Sequence, residues 1–484
     1  MHIHIVAVSG TAMASLAGLL VRQGHTVSGS DSAFDPPMGP QLAKWGVRCL
    51  PGFSPSNLTP RPDLVVIGNV CRRDNPEAVA AHELGLPITH VAGALARFVL
   101  QGAQPLVVAG THGKTTTTSL CAWLLHETGF HPGFLVGGIP RNFGRSFASP
   151  SQEPRRLPVA DAAHSRAKPN IFVIEGDEYD TAYFEKTPKF IHYQPFVAIL
   201  TSIEHDHIDI YPTFDDYLAA FGRFIALVPA RGLIVANASD PEVVKLVEQR
   251  AKCRVSYFAL EGATTHQSPH WCAAPGAVTE AGTQFDLFAG GVRVGRFLCP
   301  LPGRHNLSNA LAALAACAEG YGARIADLMA PLTRFEGVER RQQRLATQRG
   351  TVVYDDFAHH PTAVHETLRA LRERHPHARL TAVFEARSAT ACRRLHQQQY
   401  ASSFAAADEI ALAPLGRSLP DAEQLDRDAL VGALRDQGKQ AAAFESVDAI
   451  LEQLSSSARP DDVIVLLSNG TLGGLRDRLQ QALR

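Results

Sequence analysis

The sequence predicts an α/β protein of three domains, each built around a mostly parallel β-sheet. Short apolar runs, which are typical of strands buried on both faces, alternate along the chain with helical patterns. Many of these runs end in glycine, acidic or histidine residues, and parallel sheets bind ligands at the carboxyl ends of their strands. The length of 484 residues agrees with three domains of roughly 150 residues each.

The most informative segment combines a strand, a glycine-rich turn and the start of a helix. The apolar run Leu106–Ala109 leads into the turn Gly110-Thr111-His112-Gly113-Lys114-Thr115-Thr116. Backbone N–H groups and the helix dipole at such a turn attract phosphate oxygens. We expect Lys114 to supply a positive charge and the Thr115 hydroxyl a magnesium ligand. Val108 stands where a longer P-loop has glycine, so the loop is a shortened form; the alternative is a turn with an incidental lysine.

Composition and charge exclude several classes of function. The chain has 46 basic and 47 acidic residues, so it lacks the basic excess of proteins that bind nucleic acid or membrane surfaces. Its eight cysteines include no C-x-x-C pair, which is typical of reduced thiols in a cytoplasmic protein. No apolar run reaches the ~18 residues of a membrane span. We expect a cytoplasmic protein with small-molecule partners, and the oligomeric state stays open.

The N-terminal domain, expected over residues 1–104, begins with a β-α-β unit. A strand, a helix to about Gln23 and a second strand ending at Asp31 predict a Rossmann-like fold. Of the glycines in the G-x-G-x-x-G dinucleotide fingerprint only Gly10 is present, which favours another kind of nucleotide site. We expect the helix N-terminus to face a phosphate and Asp31 a hydroxyl, unless Asp31 merely ends the strand.

The next buried strand is the run Leu64-Val-Val-Ile-Gly68-Asn69. Asn75 precedes Pro76 at the start of a helical pattern, so it is either a helix cap or a ligand contact.

The central domain, expected over residues 105–333, has the organisation of a P-loop ATPase. Two of its strands end in polar clusters, at Glu175-Gly-Asp177-Glu178-Tyr-Asp180 and at Glu204-His205-Asp206-His207-Ile-Asp209. With the phosphate loop at the same sheet edge, these ends predict a magnesium site, for which Thr115 and Glu175 are well suited and a histidine is a less usual ligand. Alternatives are a loop role for His205, a structural His207–Asp209 pair, and caps or turns at Asp177 and Asp180.

Two further segments complete the central domain. Residues 148–169 are rich in Ser, Pro, Ala and Arg and predict a surface loop, whereas residues 253–300 are β-rich. Asn306 and Asn309 lie one helical turn apart at the start of an Ala-rich helix and share a face. Amide side chains both donate and accept on a purine edge; capping of the helix by Asn306 is the alternative.

The C-terminal domain, expected over residues 334–484, repeats the β/α alternation and is again Rossmann-like. Its strand at residues 352–356 ends in Asp355-Asp356 and precedes Phe357-Ala-His359-His360, and later strands end near Arg387-Ser388 and Ser468-Asn469. A helix is expected from about Pro361. His360 is either a loop residue or a site residue, and Arg340 and Arg341 are either ligand contacts or a solvated pair.

Together these motifs resemble the Mur ligase family, ATP-dependent amide-forming enzymes of peptidoglycan metabolism, over nearly the whole chain. The loop at residues 110–116 is similar to the family's ATP loop. Glu175–Glu178 is similar to its acidic motif, with Gly176 where alanine is usual. Its metal-ligand motif, adenine segment and C-terminal nucleotide contact correspond to Asp206-His207-x-Asp209, Gly303–Asn309 and Asp355-Asp356.

The resemblance implies specific roles for these residues. Lys114, Glu175 and His207 would act in catalysis, with Thr115, Glu175 and His207 holding Mg²⁺. ATP would contact Gly110, Thr111, His112, Gly113, Lys114, Thr115, Thr116, His305, Asn306, Asn309, Arg340, Arg341 and Asp356. A UDP-sugar would contact Ser9, Gly10, Thr11, Met13, Ser30, Asp31 and Asn69, and a peptide Phe357, His359, Arg387, Ser388, Ser468 and Asn469.

Within the family, several segments are most similar to the branch that joins the tripeptide L-alanyl-γ-D-glutamyl-meso-diaminopimelate to UDP-N-acetylmuramate during peptidoglycan recycling. These are Ser9–Met13, Glu178–Asp180, Phe190–Tyr193, Tyr354–Pro361 and Ser468–Gly470. A sister branch adds free L-alanine to the same acceptor, and there Tyr-Gly is expected where this chain has Phe357-Ala358. The helix near Phe221 lacks the lysine that is carbamylated in several other members, which agrees with a UDP-N-acetylmuramate acceptor.

Three other functions stay open from the sequence. The first is the sister reaction with L-alanine. The second is a nucleotide-binding regulator without ligase activity, although Glu175, His207 and Asp356 argue against it. The third is a ligase for folate or another polyamide, which would lack the unit from Ser9 to Asp31 that suits a UDP-sugar.

Overall fold

The computed structural model describes residues 1–35, 38–150, 169–345, 350–420 and 422–483. Within them the chain forms sheets of five, ten and six strands and a separate two-stranded hairpin. Strands within each large sheet are mostly parallel, and helices connect them. The predicted α/β class with three successive sheet-based units is confirmed.

The N-terminal sheet is parallel throughout. Its strands stand in the order β3-β2-β1-β4-β5, so β1 and β4 flank the point where the chain reverses direction across the sheet. Ligands bind at such a point in doubly wound sheets. The elements are β1 (His2–Val6), α1 (Thr11–Arg22), β2 (Thr26–Asp31), α2 (Met38–Lys44), β3 (Arg48–Pro51), β4 (Leu64–Ile67), α3 (Pro76–Glu83), β5 (Ile88–His90) and α4 (Val91–Leu95).

The central sheet is parallel in its middle and antiparallel at both ends. Its first half comprises β6 (Gln104–Ala109), α5 (Lys114–Glu127), β7 (Gly133–Leu135), β8 (Phe147–Ala148), β9 (Ile171–Glu175), the hairpin β10 (Asp180–Ala182) and β11 (Glu185–Pro188), β12 (Val197–Leu200) and α6 (Phe214–Ala226). Its second half comprises β13 (Leu233–Asn237), α7 (Pro241–Arg250), β14 (Arg254–Leu260), β15 (Trp271–Thr279), β16 (Gly282–Ala289), β17 (Val292–Cys299), α8 (Arg304–Ala315) and α9 (Ile325–Thr333). The order is β17-β16-β15-β14-β13-β12-β6-β9-β7-β8.

The C-terminal sheet has the order β18-β19-β23-β20-β21-β22, with β18 antiparallel to the rest. Its elements are β18 (Gln343–Leu345), β19 (Val352–Asp356), α10 (Pro361–Arg374), β20 (Leu380–Phe384), α11 (Gln397–Ser403), β21 (Glu409–Leu412), α12 (Arg427–Asp436), β22 (Gln440–Ala443), α13 (Val447–Ser457), β23 (Val463–Leu467) and α14 (Leu475–Ala482).

The order of the central sheet positions the candidate site. Strand β6 lies between β12 and β9, and both neighbours run parallel to it. The phosphate loop therefore leaves the same edge of the sheet as the two polar clusters that follow β9 and β12. Parallel pairing thus brings together three segments that are up to about a hundred residues apart in the chain.

Local chemistry explains several element ends. Asn75 caps α3, because its side-chain oxygen accepts hydrogen bonds from the N–H groups of Glu77 and Ala78, so the cap interpretation of Asn75 is confirmed. Helix α5 begins at Lys114, directly after the glycine-rich turn, and a run of four buried threonines, Thr115–Thr118, forms its first turns. The loop expected from residue 148 to 169 lies outside the described residues except at its ends.

The first predicted domain boundary, 104/105, falls after the first residue of β6, whereas the second, 333/334, lies between α9 and β18. The π-helical turn after α4 ends at Leu100 and β6 begins at Gln104, while α9 ends at Thr333 and β18 begins at Gln343. The boundaries 1–104, 105–333 and 334–484 stay predictions. Among the helices in the described parts of the chain, none combines the length and apolar character needed to cross a membrane.

The N-terminal and central units share an apolar contact around Phe147. This side chain is fully buried. It packs edge-on against Trp45, with ring centroids 4.8 Å apart, and beneath the Arg22 guanidinium. Gly18 of α1 approaches the ring so closely that any added side chain would overlap it.

Phe147→Ala should lower the free energy of unfolding by about 3–5 kcal/mol, because it removes a buried aromatic ring and leaves a cavity between two units. Chemical denaturation of the full chain measures the change. Val278→Ala, at a position that is 52% exposed, is the control and should change stability by less than ~0.5 kcal/mol. Equal stabilities of the two variants would contradict the proposed packing role.

Candidate active site

The turn between β6 and α5 has the backbone shape of a phosphate cradle. Gly110 and Gly113 have φ of +133° and +80°, which favour glycine, and a side chain at Gly113 would collide with the Asn309 amide. Helix α5 begins directly at Lys114, so the N–H groups of its first turn attract an anion. Val108 is fully buried within β6, and the cradle is therefore the shortened loop that starts at Gly110.

Lys114 belongs to a buried ion-pair network. Its Nζ donates to Oε1 of Glu178 at 2.9 Å and to the Gly110 carbonyl at 2.6 Å. The same Glu178 oxygen lies 3.1 Å from Nε2 of His207. The Glu178 side chain is 1% exposed, and within the described chain its second oxygen has no hydrogen-bond partner. One buried carboxylate thus faces two basic groups and keeps an unpaired oxygen.

Electrostatics fix the charge states of this network. Burial by itself would lower the pKa of Lys114 and raise that of Glu178. Their mutual attraction outweighs burial, so the pKa of Lys114 is raised and that of Glu178 is lowered. Burial would likewise lower the pKa of His207, but the hydrogen bond that the His207 ring donates to Glu178 and the charge of that carboxylate raise it. Lys114 and Glu178 are therefore both charged at neutral pH.

Two of the three predicted metal ligands are in contact. Oγ1 of Thr115 donates to Oε1 of Glu175 at 2.9 Å, and the Gly137 N–H donates to Oε2 at 2.8 Å. Burial raises the pKa of Glu175 despite the nearby Lys114. The third predicted ligand, His207, lies against Glu178 instead of Glu175. Hydroxyl and carboxylate oxygens suit Mg²⁺, so the Thr115–Glu175 pair fits this ion.

The loop after β12 holds His207 in an uncommon backbone conformation. Its φ is +54°, which is rare for residues other than glycine, and its N–H donates to Oδ1 of Asp206 at 2.7 Å. The ring lies 4.1 Å from that of Tyr179. Asp209 is exposed, and the close acidic partner of His207 is Glu178, so the His207–Asp209 alternative is wrong. His205 contacts the Tyr211 carbonyl at 3.0 Å.

The acidic turn after β9 is shaped by Asp177. Its Oδ1 accepts the Tyr179 N–H at 3.0 Å, and its Oδ2 accepts Nζ of Lys189 at 2.7 Å. Asp180 pairs with the exposed Lys186 at 3.2 Å. Asp177 is thus a turn-forming residue, as one alternative predicted, and this turn directs Glu178 inward.

The expected adenine segment is joined to the C-terminal unit through Gln342. Asn309 donates to Oδ1 of Asn306 at 3.3 Å, which confirms that the two amides share one helix face. Asn306 donates to Oε1 of Gln342 at 3.0 Å, and the Gln342 N–H donates to Oδ2 of Asp356 at 2.7 Å. Asn306 does not cap α8, because Gly303 occupies that position. His305 lies beside Gln342 at 3.4 Å.

Arg340 and Arg341 are not a solvated pair. Arg340 donates to the carbonyls of Ser468 and Gly470. Arg341 reaches the phosphate loop, where its guanidinium donates to Oγ1 of Thr115 at 3.3 Å. Both guanidinium groups lie over the Phe357 ring. Arg341, which lies in the segment between the second and third units, thus places a positive charge beside the Thr115–Glu175 pair.

The N-terminal candidates divide into exposed and buried groups. The Ser9 N–H donates to Oδ2 of Asp31 at 2.8 Å, so Asp31 closes the first loop besides ending β2. Gly10 and Thr11 form the start of α1, and Asn69 is exposed. The structure places Ser30 and Met13 in the interior, and their expected contact with a UDP-sugar stays a prediction. Ser30 is bonded to the buried Glu77, and Met13 belongs to the apolar core.

The expected peptide-contacting residues follow neighbouring strands of the C-terminal sheet. His359 and Phe357 follow β19, and burial lowers the pKa of His359 to about 4. Ser468 is buried and bonded to Glu385, which lies beside Arg387. The side-chain oxygen of Asn469 has no partner within the described residues, and Ser388 accepts the Ala391 N–H at 3.0 Å. Arg387 is 47% exposed.

One contact across the units was not predicted. Oγ1 of Thr362 donates to Oε2 of Glu204 at 2.7 Å, and the same oxygen lies 3.4 Å from His112 and 3.7 Å from His360. His360 also caps α10 by accepting the Thr362 N–H at 3.4 Å. His360 is therefore more than a loop residue. The sequence likewise did not identify Glu178 or Gln342 as site residues, although Glu178 belongs to the acidic motif Glu175–Glu178.

These features define a class: a three-unit α/β enzyme with a phosphate loop, a buried lysine–glutamate pair and a magnesium-type oxygen pair. Family models match three segments, described as the Mur ligase family catalytic domain (residues 2–102), the Mur ligase middle domain (108–317) and the Mur ligase glutamate ligase domain (340–470). The chain belongs to the Mur ligase family and is a ligase.

Two relatives and one solved structure show the similarity in detail. A UDP-N-acetylmuramate–L-alanyl-γ-D-glutamyl-meso-2,6-diaminoheptandioate ligase from Escherichia coli K12 is 36% identical over 484 residues, covering 100% of this chain and 98% of its own. A UDP-N-acetylmuramate–L-alanine ligase from Paenarthrobacter aurescens TC1 is also 36% identical, over 76% of this chain and 74% of its own. The crystal structure of a murein peptide ligase from Psychrobacter arcticus 273-4 matches with a TM-score of 0.73 and 32% identity, over 100% of this chain and 98% of that one.

Acid should destabilise the protein in part through His360. Burial lowers the pKa of His360 to about 3, and Glu204 and Asp206 only partly oppose this effect. Between pH 6.5, the ordinary pKa of histidine, and about pH 3, His360 is protonated in the unfolded chain but stays uncharged in the folded chain. The free energy of unfolding therefore falls as the pH falls, by at most about 1.4 kcal/mol per pH unit from this residue.

His360→Asn tests this origin, because asparagine also caps a helix but does not titrate. The slope of unfolding free energy against pH between 6.5 and 4 should be smaller in the variant, measured by urea denaturation. Equal slopes would contradict the assignment to His360.

Proposed function

We propose that this protein is an ATP-dependent ligase that joins L-alanyl-γ-D-glutamyl-meso-diaminopimelate to UDP-N-acetylmuramate. The observation that carries the proposal is the meeting of the phosphate loop, the Thr115–Glu175 pair and Arg341 at one sheet edge. The substrates follow from the E. coli relative, which is similar over the full length of both chains. The sister activity is the alternative, since the L-alanine ligase is equally identical over a shorter segment.

The residues present fit ATP and Mg²⁺. The unpaired oxygen of Glu178 lies in the network of Lys114, and the two loop glycines leave the cradle without side chains. Thr115 and Glu175 would hold the ion, whose positive charge would neutralise phosphate oxygens. His207, which is held by Glu178, would adjoin this set. We propose Asn306, Asn309 and Asp356 as nucleotide contacts on the far side of the loop.

The first chemical step needs two anions to meet. The lactate carboxylate of the muramyl group attacks the γ-phosphorus of ATP, ADP departs and an acyl phosphate forms. Positioning and charge neutralisation dominate such a step. Lys114 is charged and directed into the loop by Glu178, and Arg341 adds a second cation near Thr115.

In the second step, the α-amine of the peptide attacks the acyl carbon and phosphate leaves. The residues after β19, β20 and β23 would hold the peptide, with Arg387 suited to a carboxylate. His359 is uncharged at neutral pH, because its pKa is about 4. As an uncharged imidazole it would accept a hydrogen bond from the amine without repelling it, and the proton that the amine loses would leave with the departing phosphate as HPO4²⁻.

The nature of the substrates also bears on partners and location. Both proposed substrates are small molecules, which agrees with the balanced charge of the chain. All eight cysteines are free thiols, which supports the proposed cytoplasmic location because such thiols persist in reducing compartments.

Lys114→Ala should slow ADP release strongly while the fold persists, because the loop loses the cation that faces the phosphates. Loss of one transition-state contact typically costs 10²–10³ in rate. Lys186→Ala removes an exposed lysine that is paired only on the surface and should keep normal activity. A coupled ADP assay and circular dichroism measure both variants. Near-normal turnover of Lys114→Ala would remove the catalytic role.

Substrate choice separates the two branches. With UDP-N-acetylmuramate and ATP, the tripeptide should give a much higher kcat/KM than free L-alanine, because the C-terminal unit offers several polar groups beyond the reacting amine. Quantification of the ligated product by mass spectrometry gives both values. Efficient use of L-alanine alone would assign the protein to the sister branch.

A further inference from the structure

Two histidines and a glutamate meet where the phosphate loop contacts the C-terminal unit. His112 lies within the loop, Glu204 follows β12, and His360 directly precedes α10. One carboxylate oxygen of Glu204 lies 3.4 Å from Nε2 of His112 and 3.7 Å from Nδ1 of His360. The ligand atoms of the three side chains all lie within 4.8 Å of one another. None of the three residues belongs to the magnesium ligands expected from the sequence.

The spacing of these atoms is close to that of a tetrahedral metal site. Zinc binds imidazole nitrogen and carboxylate oxygen at about 2.0–2.1 Å, so neighbouring ligand atoms in a tetrahedral site are about 3.3–3.4 Å apart. The distances from the Glu204 oxygen to the two imidazoles, 3.4 and 3.7 Å, approach this value. Two imidazoles and one carboxylate favour Zn²⁺ and similar transition metals over Mg²⁺, which prefers oxygen ligands.

The ring nitrogens that face Glu204 have lone pairs to offer. Nδ1 of His360 accepts the Thr362 N–H at 3.4 Å, so it is unprotonated, and the proton of the neutral ring lies on Nε2. The His360 nitrogen and the Glu204 oxygen therefore face each other as two acceptors, an arrangement that a cation between them would stabilise. Nε2 of His112 is buried and has no hydrogen-bond partner within the described residues.

Neighbouring groups keep Glu204 and His360 in the protonation states that bind metal. Burial would raise the pKa of Glu204, but contacts with His112 and Thr362 lower it to about 2. Burial lowers the pKa of His360 to about 3. At neutral pH an ion would therefore displace no proton from either group. Thr362 also donates to the same carboxylate oxygen at 2.7 Å, the kind of outer contact that orients the ligands of metal sites.

A second cluster of the same composition differs in where its protons lie. Nε2 of His90 lies 3.1 Å from Glu185, and Nε2 of His192 lies 3.4 Å from the same carboxylate. Nδ1 of His90 accepts the Gly93 N–H at 3.2 Å, so Nε2 carries the ring proton and donates it to Glu185. A protonated nitrogen cannot bind a metal ion. This cluster is therefore a hydrogen-bonded group, and it supplies a matched control.

We propose that His112, Glu204 and His360 bind one Zn²⁺ or a similar divalent transition-metal ion, at a site separate from the Thr115–Glu175 pair. The ion joins the phosphate loop to the start of α10. It thereby fixes the C-terminal unit against the central unit. The proposal does not depend on which substrates the protein ligates, because all its ligands are side chains of this chain.

Isothermal titration calorimetry of the full chain with Zn²⁺, without nucleotide and in excess Mg²⁺, tests the site. We expect one Zn²⁺ per chain that Mg²⁺ does not displace. His360→Asn and Glu204→Gln should each weaken Zn²⁺ binding at least about tenfold, because each removes a ligand. Asparagine still caps α10, and glutamine still accepts the Thr362 hydroxyl, so both variants should fold. His192→Asn, in the second cluster, should bind Zn²⁺ as the wild type does.

Two further measurements identify the ligands. Co²⁺ bound to the wild-type chain should show visible absorption without the near-ultraviolet thiolate band of a cysteine site, and this result needs no variant to fold. Zn²⁺ should raise the Tm of the wild type and of His192→Asn, but not that of His360→Asn or Glu204→Gln. No Zn²⁺ binding, displacement by Mg²⁺ or a thiolate band would each overturn the proposal. Equal Zn²⁺ affinity in the wild type and the two ligand variants, or an equal loss in His192→Asn, would also overturn it.

Discussion

The arrangement of the site depends on the charge balance around one buried carboxylate. Glu178 is nearly inaccessible and faces both Lys114 and His207. Without it, two basic groups would share a buried space, and an unpaired buried charge costs several kcal/mol. Lys114 also donates to the carbonyls of Gly110 and Thr111, so the carboxylate indirectly fixes the shape of the phosphate loop. Three strand ends are thereby joined by one group.

Much of this arrangement was predictable from the sequence. The phosphate loop combines a strand, paired glycines and a helix start, which have few other interpretations. Parallel strands end at a common edge, so the meeting of Thr115 with Glu175 follows once both segments are recognised as strand ends. The shared face of Asn306 and Asn309 follows from helix periodicity alone. These inferences depend on local patterns and on one rule of sheet topology.

Other features depend on contacts that no local pattern encodes. Glu175 and Glu178 belong to one acidic motif, and the turn made by Asp177 with Lys189 decides which carboxylate meets Lys114. Ser30 lies at a strand end where ligand contacts are expected, yet its hydroxyl points inward, because it donates a hydrogen bond to the buried Glu77 carboxylate. Gln342 and Thr362 were missed because their partners lie in another unit, far away in the chain.

Gln342 has a mechanical consequence. Its side chain accepts a hydrogen bond from Asn306, and its backbone N–H donates one to Asp356. Its backbone φ of +46° is uncommon for a residue other than glycine. A rotation of the C-terminal unit away from α8 about this segment must break the bond to Asn306. Because Arg341, the preceding residue, reaches Thr115, the same rotation also withdraws a cation from the phosphate loop. A rotation about this segment would therefore break the bond between Gln342 and Asn306 and withdraw the Arg341 guanidinium from Thr115 at the same time.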